Sequence, residues 1–160
     1  MKIILMRHGN ALHGGPDSLR PLSEKGAREA EAAGNFLRSV NEIPDVILHS
    51  PLHRSRETAE RVEKALRTTG LLRLHEELEP EAPPENFFSK LPAEFAGRTG
   101  FDSRIMAIGH EPFISNLASL LLQRSLPFGT GTLLEAESCE PDSGWDLCFY
   151  VKAKYLVRLS

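Results

Sequence analysis

A chain of 160 residues, 41% of them apolar, can bury one substantial core without disulfides or a structural metal, so a single domain over 1–160 is expected. The formal net charge of −3 excludes the broad positive field of a nucleic-acid or acidic-lipid binder, which leaves positive charge only a local part to play. The apolar runs, such as "LASLLL" (117–122), fall far short of the roughly 20 residues that span a bilayer. With Cys139 and Cys148 forming no C-x-x-C pair and no signal-like leader in view, a soluble cytoplasmic protein with reduced thiols is expected.

In chain order, "KIILM" (2–6) is the almost wholly apolar run of a strand buried on both faces of a parallel sheet. After the loop "HGGPDSLRP" (13–21), Ser23 is placed to cap a helix that carries Ala27, Ala30, Ala33, Leu37 and Val40 near the helical period and ends before Pro44. "DVILHS" (45–50) repeats the buried-strand pattern, and Leu52 to Leu66 reads as a helix covering the sheet. "LLRLH" (71–75) is a third short strand, "LEPEAPPEN" (78–86) a solvated acidic loop, and 85–96 a helix interrupted or bent at Pro92. "RIMAIGH" (104–110) is a fourth strand running into "EPFISNLASLLL", where Pro112 suits a first helical turn. The tail segments 131–137, 145–151 and 153–159, set around "PDSG" (141–144), predict a closing hairpin. Strands alternating with helices imply an α/β domain with a largely parallel sheet.

In such sheets ligands bind beyond the carboxyl ends of the strands. Three of those exits carry polar groups that a plain connection would not need: Arg7-His8-Gly9, then "SPLHRSR" (50–56), then Gly109-His110-Glu111. Arginine presents a planar, permanently charged fork that matches phosphate oxygens, so the ligand should be phosphoryl-like. A neutral imidazole beside that clamp can act as nucleophile, and a glycine next to it permits close backbone approach.

"LMRHGNA" resembles the signature of the histidine phosphatase superfamily, the phosphoglycerate-mutase-like fold. "RPLSEKG" (20–26), "SPLHRSRETA" (50–59) and "IGHEPFISNLAS" (108–119) follow in that family's order. The short length and lack of a large cap insertion most resemble the SixA-type phosphohistidine phosphatases. The resemblance implies a three-layer α/β/α sandwich with a mostly parallel central sheet. It further implies that His8 attacks phosphorus and becomes a transient phosphohistidine, that Arg7 and Arg54 hold phosphoryl oxygens, that His110 adds a donor or positive charge, and that Arg20 lies near the same pocket. Gly9 and Glu111 complete the candidate set, Glu111 as an acid for the leaving group; Glu77 and Glu79 are further acids of the same kind. Asn10 stands where mutase-like members often have Glu or Gln, which favours a phosphatase.

The expected substrate is therefore phosphohistidine on a protein, a histidine phosphotransfer domain, handled by a monomer without cofactor. A small phosphate ester is the alternative substrate, and a non-catalytic phosphoprotein-binding module the alternative function. No metal is expected, since "HEPF" lacks the second histidine of H-E-x-x-H and no paired cysteines occur. His13, His49, His53 and His75 read as incidental, with His53 the one placed to line a pocket rim; Arg56 and Arg61 read as solvated helix charges.

Overall fold

The computed structural model describes residues 1–95, 103–138 and 144–159, with backbone alone at Phe88 and over 91–95. Six strands form one sheet in the order β3-β2-β4-β1-β5-β6: β1 (Lys2–Arg7), β2 (Val46–His49), β3 (Leu72–Leu74), β4 (Arg104–Gly109), β5 (Leu133–Glu137) and β6 (Asp146–Val151). The first four run parallel, while β5 is antiparallel to both β1 and β6. The apolar runs divide by residue parity, as a pleated strand covered on both faces requires. Ile3 and Leu5 of β1 and Ile105 and Ala107 of β4 enter one core; Ile4, Met6, Met106 and Ile108 enter the other.

The core holding Ile4 and Met6 is closed by α1 (Glu24–Ser39), α2 (His53–Leu66) and α5 (Ala153–Leu159); the opposite core is closed by α3 (Pro84–Phe95) and α4 (Phe113–Leu122). The result is the three-layer α/β/α arrangement with a mostly parallel sheet. Ser23 caps α1, its Oγ accepting from Gly26 N at 3.1 Å. Small residues let α1 lie close to α2, since a Cβ on Gly34 would meet the Ala65 Cβ and the Val62 carbonyl oxygen at 2.7 Å each.

Two expectations change. Segment 153–159 is a helix: Ala153 and Leu156, three apart, are its buried positions, and Leu156 joins the core beneath α1. Only β5 and β6 make the hairpin, and the turn expected at "PDSG" falls at 141–143 outside the described residues. The helix α3 runs uninterrupted through Pro92 to Phe95. Pro84 takes its first position, where a missing N–H leaves no helical bond unmade.

Candidate active site

The parallel strands β1, β2 and β4 deliver their carboxyl ends to one edge of the sheet. Arg7 pairs with Gly109 and His49 with Ile108, so His8, Ser50 and His110 leave the sheet side by side. His8 N donates to Gly109 O at 3.0 Å, joining two of these exits directly. Because α2 begins three residues after Ser50, Arg54 in its first turn returns to the same edge.

His8 is 8% exposed. Its Nδ1 lies 2.7 Å from the Gly9 carbonyl, an acceptor, so Nδ1 carries the proton and Nε2 the lone pair. Arg54 Nε donates to that lone pair at 3.3 Å. Burial above all, with the Arg54 and Arg7 charges adding to it against the opposing pull of the Gly9 carbonyl, lowers the imidazole pKa to about 4. At neutral pH His8 is an uncharged imidazole among cations, with its Nε2 lone pair facing Arg54.

His110 is 2% exposed, with its ring centroid 4.8 Å from that of His8. Burial first, then the His8 ring and the Arg54 charge, bring its pKa down to about 3. Its Nε2 shares a 2.5 Å hydrogen bond with Ser50 Oγ, and its Nδ1 is buried with no partner. Arg7 gives one guanidinium N–H to Phe128 O at 2.8 Å, while its buried Nε has no partner. These two buried, donor-capable nitrogens without partners beside His8 could both be satisfied by an anion.

A carboxylate already occupies part of that site. Arg54, 5% exposed, donates to Asp17 O at 2.8 Å and to Asp17 Oδ2 at 3.1 Å. Arg20 donates to Asp17 Oδ1 at 3.1 Å and through Nε to Leu12 O at 2.7 Å. Hydrogen bonds first from Arg20 and then from Arg54 hold the Asp17 carboxyl below the usual carboxylate range. The 3₁₀ turn Asp17–Leu19 that carries it is closed at its base by the Ala11–Leu22 bridge and by Leu12 N donating to Pro21 O at 2.9 Å.

Thus Arg7, His8, Arg54, His110 and Arg20 come together, as their motifs predict. Gly9 also lies there, but its missing side chain serves α1: a Cβ on Gly9 would stand 2.5 Å from Gly26 O, and Gly9 N–H is taken by Thr58 Oγ1 at 3.1 Å. Glu111 turns toward α4, where its Oε1 accepts from Ser115 Oγ at 2.8 Å. Glu77 is paired with Lys90. His53 lies 3.7 Å from Glu57, and His75 rests edge-on against Phe87.

Sequence reasoning missed Asp17, Ser50 and Thr58. The signal for Asp17 was its place three residues before Arg20 in a turn; for Ser50 and Thr58 it was a hydroxyl at each end of the "SPLHRSRET" block. Thr58 Oγ1 accepts from Gly9 and donates to Arg54 O at 2.6 Å, tying the loop after β1 to α2. Among the described residues no three His, Cys, Asp or Glu side chains converge as a metal-binding group, and no helix is long and apolar enough to cross a membrane.

The model of the histidine phosphatase superfamily (branch 1) matches residues 3–79. The phosphohistidine phosphatase SixA of Escherichia coli K12 is 28% identical over 148 residues, which is 90% of this chain and 89% of that protein. The 2,3-bisphosphoglycerate-dependent phosphoglycerate mutase of Tropheryma whipplei (strain Twist) is 42% identical over 62 residues, 36% of this chain and 28% of the mutase. The match therefore spans little more than a quarter of the mutase. In three dimensions the chain resembles the protein histidine phosphatase SixA complexed with tungstate, with a TM-score of 0.86, 24% identity, and 98% of this chain and 99% of that one covered.

Proposed function

We propose that this chain, which belongs to the histidine phosphatase superfamily, hydrolyses phosphohistidine on a protein, a histidine phosphotransfer domain, through a covalent intermediate on His8. The observation that carries the reading is the state of His8: neutral, with Nδ1 held by Gly9 O and the Nε2 lone pair facing the Arg54 guanidinium. A binding module would need the cations but not an unprotonated imidazole among them. The 28% identity with SixA over nine-tenths of both chains supports the P–N substrate class.

The chemistry follows from the site. Nε2 of His8 donates its electron pair to phosphorus in line with the departing imidazole nitrogen of the substrate, so one N–P bond forms as the other breaks. The leaving imidazole takes its proton from solvent. Water then attacks phosphorus, the His8–phosphorus bond breaks, its electron pair returns to Nε2, and orthophosphate leaves. Arg7 and Arg54 as fixed charges, and His110 as a neutral hydrogen-bond donor, would hold the equatorial oxygens, and one donor so placed is worth roughly 3 kcal/mol in the transition state. To use Arg54 fully, the phosphoryl group has to replace the Asp17 carboxylate. An imidazole leaves more easily than an alkoxide, so the reaction needs neither a metal nor Glu111, whose carboxylate is committed to Ser115.

The test is a time course of phosphate loss from a histidine-phosphorylated phosphotransfer domain, run in EDTA with native protein and His8→Ala. Loss with the native protein alone supports the assignment. Retention of the phosphoryl group by both, with a small phosphate ester hydrolysed instead, would move it to a phosphomonoesterase.

A further inference from the structure

Beside the nucleophile loop, between the start of α1, residues 129–132 and α5, lies a cleft of about 470 Å³. Its lining carries five exposed cations, Lys25, Arg28, Lys152, Lys154 and Arg158, in a protein whose formal net charge is −3. The one acid in that lining is Glu29, which is buried and already engaged: Oε2 accepts from Asn10 N at 2.8 Å and Oε1 from Thr130 Oγ1 at 3.2 Å, with Lys25 Nζ 3.7 Å away. Among the described residues Arg28, Lys152, Lys154 and Arg158 make no ion pair.

The cleft sits at the same end of the sheet as His8. Val151, the last residue of β6, pairs with Leu133, and Leu133 pairs with Met6, so Lys152 leaves the sheet where the nucleophile does. The segment that supplies Thr130 and Thr132 to its lining is joined to the site backbone, since Gly131 N between them donates to Arg7 O at 3.1 Å and to His8 O at 3.2 Å.

We infer that this cleft receives an acidic face of the phosphoprotein whose phosphoryl group His8 attacks, an inference that rests on the protein-phosphohistidine reading above. The cations are spread over α1, α5 and Lys152 just before α5, and none is buried. That arrangement suits several carboxylates on a folded partner rather than one small anion, which calls for convergent, desolvated donors. Exposed charges of this kind act chiefly on encounter and orientation, so their contribution falls as salt rises. Tyr155, Val157 and Leu159 are exposed on the same helix as two of the cations, Lys154 and Arg158, which makes an anionic membrane the competing occupant. The concave shape and the direct connection to the His8 loop favour the protein.

The test compares native protein with Lys152→Glu/Lys154→Glu/Arg158→Glu, a variant confined to exposed positions outside the catalytic machinery. Three substrates are used: phosphoramidate, a histidine-phosphorylated phosphotransfer domain bearing acidic residues around its phosphohistidine, and the same domain with those residues changed to Gln. Expected is at least a tenfold loss of kcat/KM on the acidic domain at low salt, shrinking at 0.5 M salt, with the Gln domain and phosphoramidate changed less than twofold. Equal turnover of both domains by native and variant would overturn the docking surface while leaving the protein-phosphatase reading intact. Turnover of phosphoramidate but of neither domain would overturn that reading and the docking surface together, as would no turnover of any substrate. Charge-dependent sedimentation with phosphatidylserine vesicles, without a change in domain turnover, would assign the cations to a membrane and also overturn it.

Discussion

Arg54 directs its Nε–H at Nε2 of His8 across 3.3 Å, so the nucleophilic lone pair and the cation that would receive the phosphoryl oxygens meet before any substrate is bound. The same guanidinium holds the Asp17 carbonyl and carboxylate with its other nitrogens. One planar fork thus fixes both the imidazole and the loop above it, a geometry a lysine ammonium cannot reproduce.

Arg54→Lys keeps the charge and removes the fork. The expected result is a fall in kcat/KM on phosphoramidate of roughly 10²- to 10³-fold, the size of one lost oxyanion donor, with the helix α2 and the thermal transition retained. Circular dichroism and steady-state kinetics on the same preparation check it; a change under threefold would remove Arg54 from phosphoryl binding.

Asp17 gives one carboxylate oxygen to Arg20 and one to Arg54, occupying donors that a phosphoryl group would need. Asp17→Asn preserves the shape and removes the competing charge. Orthophosphate is then expected to bind more tightly by up to roughly fivefold, corresponding to the ~1 kcal/mol of a solvent-exposed ion pair. Competitive inhibition by orthophosphate measures this; weaker binding in the variant would mean that Asp17 positions Arg54 rather than competing for it.

Most of the scaffold was readable because its strands are covered on both faces. "KIILM", "DVILHS" and "RIMAIG" are continuous apolar runs, and Ile3 and Ile4 enter opposite cores, which is why no polar alternation interrupts them. The last helix was not readable: with seven residues and buried positions only at Ala153 and Leu156, "AKYLVRL" fits a short strand as well as two helical turns. In the site, arginines and histidines at strand exits stood out because buried cations are uncommon without a task. Asp17 did not, since an acid in a Gly- and Pro-rich loop is normally solvated, and only the folded loop brings it onto Arg54. Gly9 was legible as a close approach, yet its neighbour is Gly26 of α1 and not a ligand, a contact between residues 17 apart that no local pattern displays.

That contact yields a stability prediction. A Cβ on Gly26 would stand 2.0 Å from Asn10 O and 2.7 Å from Asn10 N, both backbone atoms of the loop after β1, and neither can rotate away. Gly26→Ala is therefore expected to lower the unfolding free energy by about 3 kcal/mol, at the upper end for overpacking, and to reduce turnover by displacing the Gly9-Asn10 segment. Ala27→Gly, one residue along the same helix, should cost only about 1 kcal/mol of helix propensity and spare activity. Urea midpoints for the two variants separate the cases; equal midpoints would mean that α1 and the loop can part without penalty.

The buried imidazoles make stability depend on pH in a stated direction. His8 falls from its ordinary value of 6.5 to about 4 on folding, and His110 to about 3, both first because burial disfavours the charged ring. Between pH 6.5 and 4 the unfolded chain binds protons that the folded protein does not, so stability is complete above pH 6.5 and declines as the pH falls through that window. For His8 the loss by pH 4 is on the order of 3 kcal/mol. Urea unfolding at pH 7.5, 6.0, 5.0 and 4.5 should show a falling midpoint in the native protein and a shallower fall in His8→Asn/His110→Asn, which retains the acid-sensitive carboxylates but lacks both rings. Parallel slopes would show that the two rings charge equally well folded and unfolded, and the neutral nucleophile would lose its physical basis.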